Sequence, residues 1–475
     1  MHDVDTSVPS DLPDDGRPWF KLLNRYHWFV LIVAALGWLF DTMDQQLFVL
    51  ARTPALTELL GAGVSQSTIT AYGGYATTIF IIGWATGGLI FGMFGDRWGR
   101  ARTMMVTILI YSLFTGLSAL SQTWWDFAFY RFITGMGVGG EFAAGVSLVA
   151  EVIPARARPY ALGFLQALSA VGNMMAAGIS FLLPPQLEIQ GVQGWRWLFV
   201  IGIIPSLLVI LVRRKLKEPE SWMEAQQAIA RGQATDQAHK QMGDMKEMFT
   251  DPRWRFHTII GVSLAVVGVM GLWGVGFWTP ELVRNNVFRG YPKAEQDYYA
   301  SLTMLLQNFG ALFGIYGFSI LAGMFGRRLA FATAFILGLI GTITVFGFMT
   351  EPSQIWWMIP MLGFTTLMVF GGYAIYFPEL YPTRLRSTGT GFCYNVARYL
   401  AAGSTIILGF LAGLYSAPEG SELASKGLSE ITLLSSLGSV DNPFRYATLT
   451  LAMVYVLGLF VLPFAPETKG QPLPE

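Results

Sequence analysis

Cysteine, histidine and charged side chains are all scarce in this chain of 475 residues. The single cysteine, Cys393, cannot form an internal disulfide, and its apolar neighbours favour a small core residue over a reactive thiol. The four histidines stand in polar segments or at the ends of apolar stretches, without the spacing of metal ligands. The sequence therefore predicts no metal site and no cofactor.

Several classes of function also lack their sequence signals. Lys plus Arg and Asp plus Glu are both 31, so there is no global basic field that would attract nucleic acid. No glycine-rich phosphate loop with its lysine is present, which argues against ATP as a driving force. No embedded histidine or serine has the arrangement of a membrane hydrolase. We expect neither an enzyme nor a nucleic-acid-binding protein.

Apolar residues, by contrast, are more abundant than a soluble core can use. They make up 53% of the chain against 13% charged residues, with a mean hydropathy of +0.47. A helix needs roughly 20 apolar residues to cross the hydrocarbon core of a bilayer. Twelve stretches meet this length: 27–50, 69–92, 103–121, 126–150, 160–182, 196–213, 257–281, 301–323, 329–349, 355–377, 387–412 and 445–465. The sequence predicts an all-α integral membrane protein with twelve transmembrane helices.

The basic residues outside these stretches are distributed unevenly. If both termini are cytoplasmic, the inner segments hold 22 Lys and Arg and the outer segments hold seven. Because basic loops are retained on the cytoplasmic side, the imbalance favours both termini inside. The predicted organisation is a cytoplasmic tail (1–26), a six-helix bundle (27–213), a cytoplasmic linker (214–256), a second six-helix bundle (257–465) and a cytoplasmic tail (466–475). The polar outer segment 413–444 has no assigned role.

The two predicted bundles share a sequence repeat. Glu151, Pro154, Arg156 and Arg158 after the fourth stretch recur 228 residues later as Glu379, Pro382, Arg384 and Arg386 after the tenth; Gly163 and Phe164 recur as Gly391 and Phe392. At nearly the same offset, Gly99 and Arg100 recur as Gly326 and Arg327. Turns at the inner face of any membrane protein favour Pro and Arg, but six identities at fixed spacing favour duplication. Duplicated halves indicate a rocking carrier with its site between them.

The segment Gly92-Met-Phe-Gly-Asp96-Arg97-Trp-Gly99-Arg100-Ala-Arg102 resembles the loop between the second and third helices of the major facilitator superfamily. The repeated Glu-Pro-Arg-Arg motif, Lys217-Glu218-Pro219-Glu220-Ser221 and Pro466-Glu467-Thr468-Lys469-Gly470 resemble its sugar-porter-like branch. The resemblance covers the whole chain and implies the major facilitator fold of two pseudo-symmetric six-helix bundles.

Within that branch, three embedded segments resemble the carboxylate:proton symporters. They are Asp41-Thr-Met-Asp44, the segment from Arg131 to Glu141, and Phe392-Cys-Tyr394-Asn395-Val-Ala-Arg398. The resemblance implies a proton symporter of a small organic anion, with Asp44 as the proton-binding aspartate and Arg131 as its partner. The seventh stretch lacks the Gln and Asn cluster by which sugar porters hold hydroxyl groups, which disfavours a sugar.

Five ionisable residues within the stretches are candidates for proton coupling or substrate binding, because a charge in the bilayer is costly unless paired or hydrated. They are Asp41, Asp44, Arg131, Glu141 and Arg398. Asp41 and Asp44, three residues apart on one helix face, cannot both be ionised easily in a low-dielectric site. The alternative for each is a structural ion pair, and Glu141 is open between a second proton site and a structural partner.

The predicted substrate-binding residues centre on Arg398, since a guanidinium can hold a carboxylate with two parallel hydrogen bonds. Satisfaction of Arg398 by Glu141 or by backbone carbonyls is the alternative. Tyr394 and Asn395 lie beside it, and four embedded amides are candidates that could equally join helices: Gln166, Asn173, Gln307 and Asn308. Trp273, Trp278, Tyr72 and Tyr75 could stack on a substrate ring or form an interfacial belt.

A cytoplasmic gate is the third predicted site. Its candidates are Gly92, Asp96, Arg97, Gly99, Arg100, Glu151, Arg158, Glu379, Arg386 and Glu467. Asp96 is expected to cap the eleventh helix, while Arg97, Arg100 and Arg102 meet Glu151 or Glu467.

The sequence thus predicts a monomeric proton symporter in a prokaryotic plasma membrane, with protons, a small organic anion and lipid as its partners. A proton-coupled sugar or polyol transporter of the same fold is the main alternative. A transport-inactive nutrient sensor is a third alternative. Such a sensor would need a long cytoplasmic signalling tail, whereas the predicted C-terminal tail (466–475) is short.

Overall fold

The computed structural model describes residues 17–61, 63–189, 191–212, 215–231, 241–415 and 443–474. Twelve main helical elements run through this part of the chain: α1 (Arg25–Leu60), α2 (Gln66–Trp98), α3 (Arg100–Ser118), α4 (Trp124–Val152), α5 (Arg158–Leu182), α6 (Gly194–Ile201 and Pro205–Val212), α7 (Pro252–Gly274), α8 (Lys293–Phe325), α9 (Arg327–Thr342), α10 (Ile355–Leu367 and Val369–Glu379), α11 (Arg386–Tyr415) and α12 (Pro443–Ala452 and Val454–Val461).

Shorter elements connect these helices. They are the 3₁₀ turns Trp19–Lys21, Gly276–Trp278, Pro352–Gln354, Thr383–Leu385 and Leu462–Phe464, the short helices Thr279–Leu282 and Glu247–Thr250, the linker helix Glu220–Ala230, and the π-helical turns Val283–Val287 and Ile343–Gly347. A two-residue hairpin pairs β1 (Glu188–Ile189) antiparallel with β2 (Val192–Gln193). The predicted outer segment 413–444 and the predicted N-terminal tail lie largely outside the described residues.

Ten helical segments in the described ranges are long and apolar enough to cross a bilayer. The two main helices outside that set are α6, which is interrupted at residues 202–204, and α11. The predicted twelve-helix, all-α fold is therefore confirmed. Several helices extend beyond the predicted apolar stretches, and α10 breaks at Met368.

Helix starts follow local capping chemistry. Asn24 accepts a hydrogen bond from the His27 backbone N–H at the start of α1, and Thr123 and Asp126 form a reciprocal capping box at the start of α4. Between α2 and α3 the only residue is Gly99, with a φ of 113°, and between α8 and α9 it is Gly326, with a φ of 96°. A left-handed φ is accessible to glycine at little cost, so both sharp turns depend on it.

The packing repeats between the halves. In the first half α1 packs on α5 and α2 on α4; in the second half α7 packs on α11 and α8 on α10. The halves meet through two pseudo-equivalent contacts, α2 with α11 and α8 with α5. The site predicted between the halves therefore has to lie among these four helices and their neighbours.

Candidate functional site

A small cavity of about 90 Å³ lies between the two halves. Its walls come from α1, α2 and α5 on one side and α7, α8, α10 and α11 on the other. The lining combines aromatic rings, amides and one cation: Trp38, Thr42, Gln45, Trp84, Gln166, Ser169, Ala170, Asn173, Val269, Leu272, Trp273, Asn308, Ala311, Ile315, Leu367, Phe370, Tyr394 and Arg398.

Arg398 is the cation of this cavity. Its guanidinium lies over two rings, with its central carbon 4.0 Å from the ring centroids of both Trp84 and Tyr394. One terminal nitrogen donates to the Tyr394 carbonyl and to the Asn395 Oδ1, each at 3.2 Å. Its Nε donates no hydrogen bond to any described residue. The ring contacts therefore fix the plane of the guanidinium and leave donor capacity for a ligand.

The candidate amides separate into two groups. Gln166, Asn173 and Asn308 line the cavity, and Asn173 Nδ2 donates to Asn308 Oδ1 at 2.8 Å across the halves. Gln307 is not among the lining residues, and its side-chain amide lies beside Gly276; its role as a substrate contact stays a prediction. Asn395 is also absent from the lining. It donates to the Gly391 carbonyl at 2.8 Å and supports Arg398 from behind.

Asp44 and Arg131 form a pair inside the first half. Their closest atoms, Asp44 Oδ2 and the Arg131 terminal nitrogen, are 3.6 Å apart, and both side chains are fully buried. Arg131 donates to Ser118 Oγ at 2.8 Å and to Thr134 Oγ1 at 3.1 Å. Its guanidinium carbon is also 4.7 Å from the ring centroid of Phe199. The pair does not line the central cavity.

Asp41 connects the two regions electrostatically. It is fully buried, and neither of its carboxylate oxygens accepts a hydrogen bond from a described residue. Its charged neighbours are Glu141, Asp44 and Arg398. Asp44, in contrast, has Arg131 as its partner. Glu141 is 1% exposed, and one of its oxygens packs against Gly37 of α1.

The predicted gate residues meet at the end of the molecule that carries the described N- and C-terminal segments. Asp96 accepts hydrogen bonds from the backbone N–H of Ser387 at 3.1 Å and of Thr388 at 2.8 Å. These are the first N–H groups of α11, where a carboxylate is favoured by the helix dipole. Arg100 pairs with Asp96 and with Glu151, both at 3.0 Å.

Glu151 also crosses between the halves. It accepts from Arg386 at 2.7 Å, and Arg386 donates in addition to the Pro378 and Pro474 carbonyls. Arg100 donates to the Thr383 carbonyl. These contacts close this end of the molecule.

The second half repeats the inner part of this network. Arg327 donates to Glu379 at 2.6 and 2.9 Å, and Thr468 donates to the same carboxylate. Glu467 caps α9 by accepting from the backbone N–H of Arg327 at 2.9 Å and of Arg328 at 3.1 Å. Burial disfavours the Glu467 carboxylate, but these N–H groups and that of Lys469 outweigh it and hold its pKa below the ordinary value.

Three gate expectations need correction. Glu467 meets the start of α9 in its own half rather than the arginines after α2, because the turn at Gly326 presents unpaired N–H groups to it. Arg97 donates to the Met242 and Gly243 carbonyls of the linker rather than to Glu151. The Arg102 side chain forms no ion pair with a described residue; its backbone N–H donates to Glu218, the counterpart of Glu467.

Two other gate candidates, Gly92 and Arg158, take no part in the described ion pairs of the gate. Gly92 lies against the Ser387 carbonyl, where a Cβ would come within 3.0 Å. Arg158 makes no hydrogen bond or ion pair with a described residue.

Sequence reasoning missed several cavity residues. Trp38, Trp84 and Phe370 line the cavity and were not predicted. Of the four aromatic candidates from the sequence, Trp273 lines the cavity, whereas Trp278, Tyr72 and Tyr75 do not. Trp84 stands between Gly83 and Gly87 of α2, and an embedded aromatic side chain among small residues is the signal that could have identified it. Arg445, at the start of the predicted stretch 445–465, is 3% exposed and donates to the Phe346 and Met349 carbonyls.

Known proteins resemble this chain over most of its length. Residues 30–406 match the family described as Major Facilitator Superfamily. The cis,cis-muconate transport protein of Acinetobacter baylyi is 31% identical over 354 residues, which cover 74% of this chain and 80% of that protein. The sialic acid transporter NanX of Escherichia coli is 27% identical over 440 residues, covering 91% and 99%.

A solved structure supports the same fold. The proton:xylose symporter XylE bound to 6-bromo-6-deoxy-D-glucose superposes with a TM-score of 0.67 at 19% identity, covering 94% of this chain and 98% of that chain. At that identity the likeness concerns the fold alone. The chain therefore belongs to the Major Facilitator Superfamily and is a multi-pass membrane transport protein rather than an enzyme.

Proposed function

We propose that this protein is a proton-coupled symporter of an organic carboxylate anion that works by alternating access. The single observation that carries the substrate class is Arg398, a buried guanidinium on the wall of the central cavity. No carboxylate of a described residue forms an ion pair with it, and its Nε is unpartnered. A substrate carboxylate would supply the missing charge and accept a charge-assisted hydrogen bond.

The rest of the cavity wall suits an unsaturated or ring-containing acid. Trp84 and Tyr394 both contact the Arg398 guanidinium, and Trp38, Trp273 and Phe370 offer further aromatic surface. Cis,cis-muconate and sialic acid, the solutes in the names of two relatives, both carry carboxyl groups.

Proton coupling would use the carboxylates of the first half. Asp44 and Arg131 are a buried pair whose charge balance changes when Asp44 takes a proton. Asp41 lies electrostatically between Arg398 and Glu141, so a negative charge arriving at Arg398 would be felt by Asp41 and favour its protonation. The uptake of an anion and of a proton would thereby be linked through Asp41, with Glu141 as a further acceptor.

Alternating access would open and close the contacts among Asp96, Glu151 and Arg386. Gly92 would permit the close approach of α2 and α11 there. The excess of Lys and Arg at this end supports a cytoplasmic location for it, with both termini inside a prokaryotic plasma membrane. The proposed division remains two bundles, 27–213 and 257–465, joined by the linker 214–256, acting as a monomer.

Uptake into proteoliposomes tests the substrate class. Labelled cis,cis-muconate, sialic acid and xylose would be offered with a pH gradient imposed or collapsed. We expect acid accumulation that needs the gradient, and about a 30-fold loss or more in Arg398→Gln, because truncating a buried charge contact costs 2–5 kcal/mol. Arg398→Lys should recover only part of the loss, since it keeps the charge but loses the planar fork.

Arg284→Gln is the matched control, because Arg284 is a partly exposed arginine paired with Asp297 outside the cavity. Gradient-driven xylose uptake that survives Arg398→Gln would instead identify a neutral sugar or polyol carrier. Acid uptake indifferent to the pH gradient would refute proton coupling.

A further inference from the structure

The two halves differ at one position of their shared gate network. Arg100 donates to the Gly95 carbonyl, and Arg327 makes the equivalent bond to the Ala322 carbonyl, 227 residues later. The same offset relates Asp96 to Gly323. The carboxylate that caps α11 and pairs with Arg100 therefore has no counterpart in the second half.

The partner of that missing carboxylate is also changed. The repeat offset of 228 relates Thr388, which donates to Asp96, to Tyr160 at the start of α5. A Cβ at position 323 would lie 2.5 Å from the Tyr160 hydroxyl, so the two pseudo-equivalent positions face each other as Asp96 and Thr388 do. No side chain caps the N-terminus of α5 in the described residues.

A cleft of about 1170 Å³ occupies this place between α5 and α8. Arg158, Tyr160, Gly323, Arg327, Glu379 and Lys469 are among the residues that line it. On the opposite side of the pseudo-symmetry axis, the corresponding position holds the Asp96 carboxylate, which caps α11, and the linker residue Trp222, which donates to the Asp96 carbonyl.

Arg158 is the cation that this difference leaves unbalanced. It is 9% exposed, its Nε is buried without a hydrogen bond, and no described residue forms an ion pair with it. Its repeat counterpart, Arg386, has Glu151 at 2.7 Å. Glu379 cannot serve Arg158 in the same way, because Arg327 holds both of its oxygens and Thr468 donates to one of them.

Arg158 differs from the other three arginines of the repeated network in having no ion pair with a described residue. Arg100 and Arg386 both pair with Glu151, and Arg327 pairs with Glu379. A buried, unpaired cation is costly, and a helix N-terminus beside it adds a second attraction for negative charge.

We propose that the cleft between α5 and α8 binds a small oxyanion, a carboxylate or a phosphate, at Arg158 and the N-terminus of α5. The anion takes the role that Asp96 has at α11. Because Arg158 belongs to the first half and Gly323 and Arg327 to the second, the bound anion joins α5 to α8 and stabilises the closed state of the gate. The site is separate from the central cavity and does not depend on which solute is transported.

The oxyanion has two conceivable sources, a free anion and the acidic residues Asp14 and Asp15, which precede Arg17 of the cleft lining in the sequence. Thermal unfolding of the full-length protein in detergent, followed by tryptophan fluorescence, distinguishes them. Sodium phosphate and sodium acetate would be titrated against sodium chloride at constant ionic strength. We expect the wild-type midpoint to rise by a few degrees in a saturable manner.

Arg158→Gln should lose this rise, whereas Arg255→Gln, an exposed arginine at the same end, should keep it. The double variant Tyr160→Thr/Gly323→Asp copies the Thr388 and Asp96 pair. It should unfold at a higher temperature than Tyr160→Thr/Gly323→Asn and no longer respond to the anions. The Asn variant fills the same volume without the charge and is the matched control.

If the wild type does not respond but Asp14→Asn/Asp15→Asn does, the site is present and the chain's own carboxylates fill it. A wild-type response that is unchanged in Arg158→Gln would overturn the proposal. So would the absence of a saturable response in both the wild type and Asp14→Asn/Asp15→Asn.

Discussion

At the scale of single residues, the direction in which a helix presents each side chain decides its role. Trp38, Thr42 and Gln45 form the stripe of α1 that faces the cavity. Asp41 and Asp44 lie on the neighbouring stripe, turned into the first half. Successive helical residues are about 100° apart, so residues adjacent in sequence serve different environments.

Five ionisable residues could be predicted as buried from the sequence, because a charge inside an apolar stretch is costly to bury and therefore conspicuous. Asp41, Asp44, Arg131, Glu141 and Arg398 are all at most 5% exposed, in agreement with their embedded positions. Their partners were not predictable, because hydropathy does not report how each helix is rotated about its axis. Arg398 reaches the cavity, whereas Asp44 faces Arg131 within one bundle.

The pairing of Asp44 with Arg131 predicts a specific transport defect. Asp44→Asn should lower gradient-driven accumulation at least about tenfold, because the side chain can no longer gain or lose a proton. Exchange of labelled for unlabelled acid without a gradient should persist, since the Arg398 wall is unchanged. Both would be measured in the same proteoliposomes.

Asp126→Asn is the control for this defect, because Asp126 is a half-buried acid of the same half that caps α4 and can still do so as an amide. Full accumulation by Asp44→Asn would contradict a coupling role for the Asp44 carboxyl. An unfolding midpoint checks that the remaining buried arginine has not simply destabilised the bundle.

At the scale of helices, the tight crossing of α2 and α4 depends on glycine. A Cβ on Gly87 would collide with the Met136 carbonyl, and one on Gly139 with the Trp84 carbonyl. The crossing of α8 and α10 repeats this arrangement, with Gly314 against the Phe364 carbonyl. The small-residue spacing of the first half was evident in the sequence, and the offset of 227 that relates Gly87 to Gly314 was a further signal of duplication.

Helix ends were less predictable than helix positions. The apolar stretch 69–92 lies within α2, which continues to Trp98, because caps and ion pairs rather than lipid determine where a helix stops outside the hydrocarbon. The breaks in α6 and α10 have no counterpart in hydropathy. Only the backbone structure shows where these two helices are interrupted.

Gly139→Ala should therefore destabilise the protein by about 1–3 kcal/mol, because the added methyl group forces two backbones apart. Gly74→Ala in α2, where no atom lies within 4 Å of the added Cβ, should be neutral or slightly stabilising. The unfolding midpoints of the two purified variants would be compared. Equal midpoints would show that the α2 and α4 backbones can separate without cost.

The capping of α9 by Glu467 predicts a pH dependence. Its pKa is lowered in the folded state, so its stabilisation is complete above the unfolded-state pKa of about 4.3 and is lost as the pH falls through the lower folded value. Glu467→Gln should lower the unfolding midpoint at pH 7, and the difference from wild type should shrink as the pH approaches 3.

Glu295→Gln is the matched control, because Glu295 stands in the first turn of α8 but is exposed. It should produce a smaller difference at pH 7. A Glu467→Gln difference that stays constant from pH 7 to pH 3 would contradict a charged cap.

At the scale of the whole molecule, the duplicated architecture followed from the sequence, whereas the conformational state did not. Repeated motifs at an offset of 228 predicted two bundles with a gate at their shared end. That this gate is closed, with Asp96 on α11 and Arg386 on Glu151, depends on the relative position of the bundles. Both positions are compatible with the same sequence, because a carrier must adopt each of them.

The closed gate predicts how the balance between the two states can be shifted. A cysteine in place of Ala143, which packs on Gly391 of α11 across the halves, should react slowly with a maleimide in a Cys393→Ser background. Asp96→Asn should speed that reaction about tenfold, since hydrogen bonds to a charged group contribute about 1.5–3 kcal/mol to the closed state. Glu58→Gln removes a more exposed carboxylate, paired with Arg196 within the first half, and should leave the rate unchanged. Equal labelling rates in all three proteins would mean that other contacts hold the gate shut.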